Sequence, residues 1–263
     1  MTFPESERVI YQKNPLAEVS VELRFPPILK IDASPPADFQ DKIRSTFSDY
    51  GQSRDSINIP PNAPQAVQKI MKSLPLGGGP VNHLFTTGDK KQQVILTREK
   101  VALKSLAYTR WEDFNSCFDH VRKVFEEIYQ PSFYSKISLK YVDVIRRSIL
   151  GLNDVRWSEL LTAEVGGALT SPELAQRIDS SSSEFHCSLD DPNSFLTLKT
   201  SIALAEPGRE HCFVINSEFH THSKTETANV EQVLGTFNRS AGQLFRWAIQ
   251  RRLHDALQPN SVA

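Results

Sequence analysis

The chain has 263 residues, of which 39% are hydrophobic and 23% are charged, as in an average globular protein. This composition excludes a disordered chain, a collagen-like chain and a coiled-coil rod. Thirty lysine and arginine residues against 31 aspartate and glutamate residues give a net charge of -1, which argues against a general nucleic-acid-binding protein.

The cysteines and the beginning of the chain bear on the compartment. The first residues lack the basic and apolar segments of a secretory signal, and no apolar run is long enough for a membrane helix. The three cysteines, Cys117, Cys187 and Cys212, are odd in number and form no CxxC pair. We therefore expect reduced thiols in a cytoplasmic protein that does not associate with membranes.

Residues 1–130 predict a strand, a helix, three strands and a second helix. Apolar residues alternate with Glu18, Ser20, Glu22 and Arg24 in the first strand, which Pro26-Pro27 ends. A helix follows Ser34-Pro35, and the proline- and glycine-rich residues 51–81 predict a long loop. The remaining elements are strands near 82–88, 92–98 and 101–108 and a helix over 111–129.

Residues 131–263 repeat this order of elements. A strand over 135–147 is followed by helical regions around 157–161 and 172–178, strands at 183–190, 194–205 and 210–222, and a helix over 229–257. The sequence therefore predicts an α+β fold built from a duplicated β-α-β-β-β-α unit, with antiparallel sheet and helices on one face. The two units could share one continuous curved sheet, a saddle.

The strand alternation also predicts a polar sheet face. Its candidate binding residues are Glu18, Arg24, Lys140, His186, Lys199, Glu218 and His220. Such a face is either simply solvated, as antiparallel sheets usually are on one side, or a recognition surface for a phosphate, a carboxylate or the charges of a partner. Arg239 and Arg246 lie seven residues apart near one face of the last helix, where they could contact nucleic acid or an acidic partner.

Signatures of catalysis and of metal binding are missing from the sequence. His186 and Cys187 are zinc-ligand types, but neighbouring residues of a strand point to opposite faces. No GxSxG motif occurs, and no Lys-Ser or Lys-Thr follows the glycines at 77–79 as a phosphate loop requires. The sequence therefore predicts no catalytic residue, no metal site and no cofactor.

Four segments resemble a sporadically distributed bacterial protein family of unknown function. They are Tyr11 to Leu29 with the run Asn14-Pro15-Leu16, the pair Tyr108 and Trp111, the strand 139–143, and the helix segment 245–254. The family tends to Arg-Tyr-x-Asn where this chain has Lys140-Tyr141-Val142-Asp143. The resemblance implies a patchily inherited bacterial cytoplasmic protein and, by association, mobile or defence-related gene clusters; it brings no established catalytic residues.

Three functional hypotheses follow. The first is a non-enzymatic recognition protein that meets a protein partner through the polar sheet face or the loop 51–81. The second is an enzyme or sensor that binds a small anionic or nucleotide-like ligand with His186, Lys199, Glu218 and His220. The third is a nucleic-acid-binding protein that uses Arg239, Arg246 and the sheet. Exposed sheet edges could also pair with those of a second copy, so a homodimer is a further alternative.

Overall fold

The computed structural model describes residues 3–54, 81–191, 193–205 and 210–261. The strands are β1 (Val9–Tyr11), β2 (Leu16–Arg24), β3 (Asp49–Arg54), β4 (Val81–Thr86), β5 (Gln92–Thr97), β6 (Lys100–Ser105), β7 (Lys136–Ile145), β8 (Ser182–Ser188), β9 (Ser194–Ala205), β10 (Glu210–Thr221) and β11 (Pro259–Ser261). The α-helices are α1 (Lys30–Ala33), α2 (Ala37–Ile43), α3 (Trp111–Tyr129), α4 (Arg147–Leu150), α5 (Ala163–Gly166), α6 (Val230–Ala248) and α7 (Arg251–Ala256). The predicted α+β class is confirmed, and none of these helices is long and apolar enough to cross a membrane.

Nine of the described strands form one antiparallel sheet in the order β3-β4-β5-β6-β2-β7-β10-β9-β8. The strands of residues 1–130 and those of residues 131–263 meet where β2 pairs with β7, with Val21 opposite Leu139. The two predicted halves therefore share a single sheet. The duplication of the unit and the saddle curvature stay predictions.

The sheet buries one face under the helices, as its alternation predicts. Val21 of β2 and Leu139 of β7 are fully buried on this covered face. Helices α2, α3 and α6 contribute Phe39, Phe118 and Phe237 to the same hydrophobic core. Removal of these side chains from water is the main force that holds sheet and helices together. We call the opposite side of the sheet the open face.

A buried arginine joins the two long helices. The side chain of Arg122 in α3 is only 7% exposed and contacts the carboxylates of Asp119 and Glu126 on its own helix. Its Nη2 atom also lies 3.0 Å from Glu231 at the start of α6. Tyr134, just before β7, donates a hydrogen bond of 2.9 Å to Glu126. The cluster therefore fixes α3 against α6 and against the entry to the central sheet.

The structure corrects the prediction of one long helix over 229–257. Helix α6 ends at Ala248, because Ile249 forms a β-bridge with Leu161 and the Gln250 amide donates to the Leu160 carbonyl at 2.8 Å. Helix α7 then leads into β11, which pairs with β1. We call this two-stranded sheet the terminal clasp; no periodic pattern in either short segment predicts it.

Two further predictions are wrong in part. The first residues of the predicted loop 51–81 belong to β3, whose residues lack apolar alternation and are mostly exposed. Residues 55–80, including the glycines at 77–79, lie outside the described residues. The helical regions expected near 157–161 and 172–178 are short turns that include the 3-10 helices Trp157–Glu159 and Ala175–Arg177.

Replacement of Arg122 by alanine should destabilise the fold by about 2 to 3 kcal/mol, because it leaves a group of carboxylates without their shared cation. Urea denaturation of the full chain measures this loss. The matched control is Lys123→Ala, since Lys123 also pairs with Asp119 but is 66% exposed and should cost about 0.5 kcal/mol or less. Equal losses in the two variants would contradict a buried structural role for Arg122.

Candidate functional site

The predicted binding residues of the polar sheet face do lie on the open face, where the sheet itself pairs their charges. Glu18 lies 2.6 Å from the Lys104 ammonium and 3.6 Å from that of Lys140. Glu218 lies 2.7 Å from Lys136. These contacts join neighbouring strands, so the centre of the open face is a set of cross-strand ion pairs.

Charges are also paired within β2 and at the β8 edge of the sheet. Arg24 lies 2.6 Å from Glu22. Lys199 and His186 both contact Glu184, at 2.9 and 3.2 Å. Because each of these charges already meets an opposite one, the open face offers little uncompensated charge for a small ion.

His220 is packed rather than presented to solvent. The residue is 7% exposed. Its ring stacks on that of Phe195, with 5.9 Å between the ring centroids, and meets the ring of His222 edge-on, with 4.7 Å between the centroids. Burial lowers the pKa of His220, which favours the neutral ring. In the described ranges no group of three or more His, Cys, Asp or Glu residues is placed to hold a metal ion.

A cavity of about 680 Å³ lies on the covered side of the sheet. The N-terminal segment 5–16, the turn 108–111, strands β7 and β10 and one face of α6 form its walls. Cavities of this size hold small organic ligands in other proteins. Five aromatic side chains line it: Tyr11, Tyr108, Trp111, Tyr141 and Phe245.

Helix α6 leaves room for this cavity by means of two glycines. Gly235 and Gly242 line it together with Asn238, and a Cβ atom at either glycine would meet nothing within 4 Å. Glycine inside a helix costs about 0.5 to 1 kcal/mol relative to alanine. The two glycines therefore make α6 less stable than two alanines would, at the positions where the helix borders the cavity.

Asp143 brings a carboxyl group into the cavity wall. Alternation along β7 places it on the covered face between Tyr141 and Ile145, where it is 6% exposed. No hydrogen bond or charged partner contributes to the pKa of Asp143, which burial alone shifts. Burial raises the pKa of Asp143 to about 8, so the carboxyl is mainly protonated at neutral pH.

A β-bulge marks the same position in the sheet. The pairing of β2 with β7 shifts register between Leu16 and Glu18, where Leu16 faces Asp143. Bulges of this kind often occur beside functional sites, because they redirect a strand locally. Here the bulge lies beside the cavity, whose wall includes Leu16 and Pro15.

Three tyrosines line the cavity together with Asp143. Tyr141 donates a hydrogen bond of 2.9 Å to the side-chain oxygen of Asn238, and the Tyr108 ring meets that of Tyr141 edge-on at 6.0 Å. The Tyr11 hydroxyl lies 2.9 Å from Nδ1 of His254. Burial raises the pKa values of Tyr11 and Tyr108 to about 12, which keeps both as hydrogen-bond donors.

Arg246 brings a positive charge into the less exposed part of the cavity wall. Its Nη1 atom is buried and has no hydrogen-bond partner among the described residues. The guanidinium lies close enough to Tyr11 to oppose the effect of burial on the pKa of that hydroxyl. Arg239 lines the same cavity but is exposed. The structure thus brings the predicted pair Arg239 and Arg246 together at the cavity.

Asp143 is the cavity residue that the sequence analysis missed. Its signal is the phase of β7, where it alone is acidic among Ile137, Leu139, Tyr141 and Ile145. A charged residue at a buried position of a strand is a marker of function. Four separate segments of the chain meet here, since Tyr11, Tyr108, Asp143 and Arg246 all line the cavity.

Replacement of Asp143 by asparagine should stabilise the unliganded protein, more at pH 8 than at pH 5. The folded state keeps the Asp143 proton up to about pH 8, whereas the unfolded state releases it near pH 4, so the wild type loses stability between these values. We expect the difference in unfolding free energy to grow by at least about 2 kcal/mol between pH 5 and pH 8.

Urea denaturation at the two pH values measures this difference. The control is Asp154→Asn, since Asp154 is exposed and should show no such growth. A gain for Asp143→Asn that is the same at both pH values would contradict the raised pKa.

The comparisons with known proteins add no name to this site. No protein-family model matches the chain, and no curated protein matches it as a relative.

Proposed function

We propose that the protein binds a small organic anion in the cavity. The observation that carries this proposal is the buried Nη1 atom of Arg246, which lines the cavity without a hydrogen-bond partner among the described residues. A buried guanidinium nitrogen with an unused N–H donor is costly unless a ligand or water accepts its hydrogen bond. Carboxylate and phosphate oxygens are the acceptors that arginine binds best.

The walls of the cavity suit the organic part of such a ligand. Trp111 and Phe245 offer apolar ring faces, while the edge of Tyr108 adds both contact area and a hydroxyl. Pockets for small molecules commonly combine mostly apolar walls with a few placed polar groups. The ligand proposed here therefore has an aromatic or otherwise apolar body and one acidic group.

This cavity is a better candidate for an anion than the open face is. Lys140 and Lys199 contact carboxylates of neighbouring strands, so an anion would have to displace those partners. The Nη1 atom of Arg246, by contrast, has no hydrogen-bond partner among the described residues. The proposed ligand is thus the small anion of the second hypothesis above, but its binding site lies on the covered side of the sheet and not on the open face.

Native mass spectrometry of the full chain, purified gently from its own host, tests the proposal. We expect a retained small molecule that is released on denaturation and absent from Arg246→Met, which keeps the bulk of the side chain and removes its charge. The matched control is Arg251→Met, because Arg251 on α7 is 93% exposed and lies outside the cavity. Gly242→Leu should also lose the molecule, since Gly242 lines the cavity and leucine adds side-chain atoms to that wall.

Retention of the same molecule by Arg246→Met and Gly242→Leu would place its site elsewhere and overturn the proposal. A bare wild-type chain that also shows no thermal stabilisation by aromatic carboxylates would count against it equally, because a ligand that binds only the folded state must raise stability.

Recognition of a protein partner on the open face is a second candidate function. Val142, Val144 and Val214 form a half-buried apolar group between the ion pairs of this face, and an apolar centre with a charged rim is typical of protein interfaces. In the same spectra, a second protein retained by wild type and by Arg246→Met would support it. The triple variant Lys140→Ala, Lys199→Ala, Glu218→Ala should then lose that protein.

The proposed setting is a bacterial cytoplasm. The family resemblance supports this setting, and Cys117 and Cys187 are free thiols in the structure. Contact with nucleic acid through Arg239 and Arg246 is the weakest of the three hypotheses, since both residues line a cavity and the net charge is -1.

A further inference from the structure

We infer that Asp143 binds the ligand as a neutral carboxylic acid, donating its proton in a hydrogen bond to an uncharged oxygen of the ligand. The ligand class is then an organic acid that carries a carbonyl or hydroxyl oxygen apart from its acidic group. This inference rests on the proposed function, because it assigns the second polar end of the same cavity.

The neutral form of Asp143 follows first from its surroundings. The groups that line the cavity near it are the tyrosines 11, 108 and 141, Ile215 and Ser217 of β10, and Arg246 of α6. Neither Arg246 nor any other described cation forms an ion pair with the carboxyl. A carboxylate buried without a counter-charge or hydrogen bonds is strongly disfavoured, and the group takes up a proton instead.

A neutral carboxyl determines what the ligand must offer at this end. A protonated carboxylic acid is a hydrogen-bond donor as well as an acceptor, unlike a carboxylate. The cavity then presents an O–H donor at Asp143 and N–H donors at Arg246. Because the two side chains do not pair with each other, they bind different atoms of the ligand. Arg246 takes the acidic group, and Asp143 takes a separate oxygen.

The inference predicts a pH dependence with a definite sign. Burial keeps the hydroxyls of Tyr11 and Tyr108, which line the same cavity, protonated up to about pH 12. The other charged residues that line the cavity are exposed and form its rim: Glu5, Glu7, Arg8, Arg110 and Arg239. Above about pH 8 the Asp143 donor is lost, so binding to an acceptor oxygen should weaken.

Three probes with one skeleton test the inference by calorimetric titration of the full chain. 3-(4-Acetylphenyl)propanoate carries an acceptor oxygen opposite its acid, 3-phenylpropanoate carries none, and 3-(4-(aminomethyl)phenyl)propanoate carries a cation there. At pH 7 we expect the acetyl probe to bind about tenfold more tightly than the unsubstituted one, since one hydrogen bond contributes about 1.4 kcal/mol. At pH 9.5 this advantage should disappear.

Two variants separate a donor role from a merely structural one. Asp143→Asn keeps an N–H donor that does not titrate, so the acetyl probe should retain its advantage at both pH values. Asp143→Leu removes the donor and should remove the advantage at both. A wild-type circular dichroism spectrum and a single cooperative thermal transition show that these variants are folded.

Other results overturn the inference in recognisable ways. If the aminomethyl probe binds most tightly and Asp143→Asn loses this binding, Asp143 is ionised and binds a cation. Equal binding of all three probes would show that Asp143 does not contact them; in both cases the proposed function stands. Absence of binding by all three, together with a bare chain in native mass spectrometry, would overturn the proposed function and this inference with it.

Discussion

The pairing of β2 with β7 is the constraint on which the rest of the structure depends. These central strands join both parts of the sheet, with Val21 opposite Leu139 and Leu23 opposite Ile137. A shift of one residue would turn each of these side chains to the other face. The apolar side chains of both strands therefore fix the register. That register also brings Asp143 to the covered face, into the wall of the cavity beside α6.

Much of the sheet could be predicted from the sequence, because alternation reports directly on which face is buried. The limits of β9 agree with the predicted strand, and Glu18, Lys199 and Glu218 lie on the face expected for them. Alternation does not report what a polar face does with its charges. The ion pairs of the open face depend on which strands are neighbours, and strand order is set by the whole chain.

The cavity could be predicted only in pieces. The seven-residue spacing of Arg239 and Arg246 shows that they share a face of α6, but not that this face meets a space rather than solvent or core. That space exists because the turn 108–111 and the segment 5–16 approach α6 from distant parts of the chain. The break after Ala248 has the same origin, since the bridge between Leu161 and Ile249 competes with helix continuation.

The terminal clasp has a consequence for when the cavity can exist. One wall of the cavity is the segment 5–16, and its strand β1 is held by β11, which comes about 250 residues later. During synthesis the central sheet and α3 can form before that wall is fixed. The protein therefore acquires the complete cavity wall only after residues 259–261 have left the ribosome. Partly made chains, or chains clipped near either end of the clasp, would fold much of the sheet yet lack the binding site.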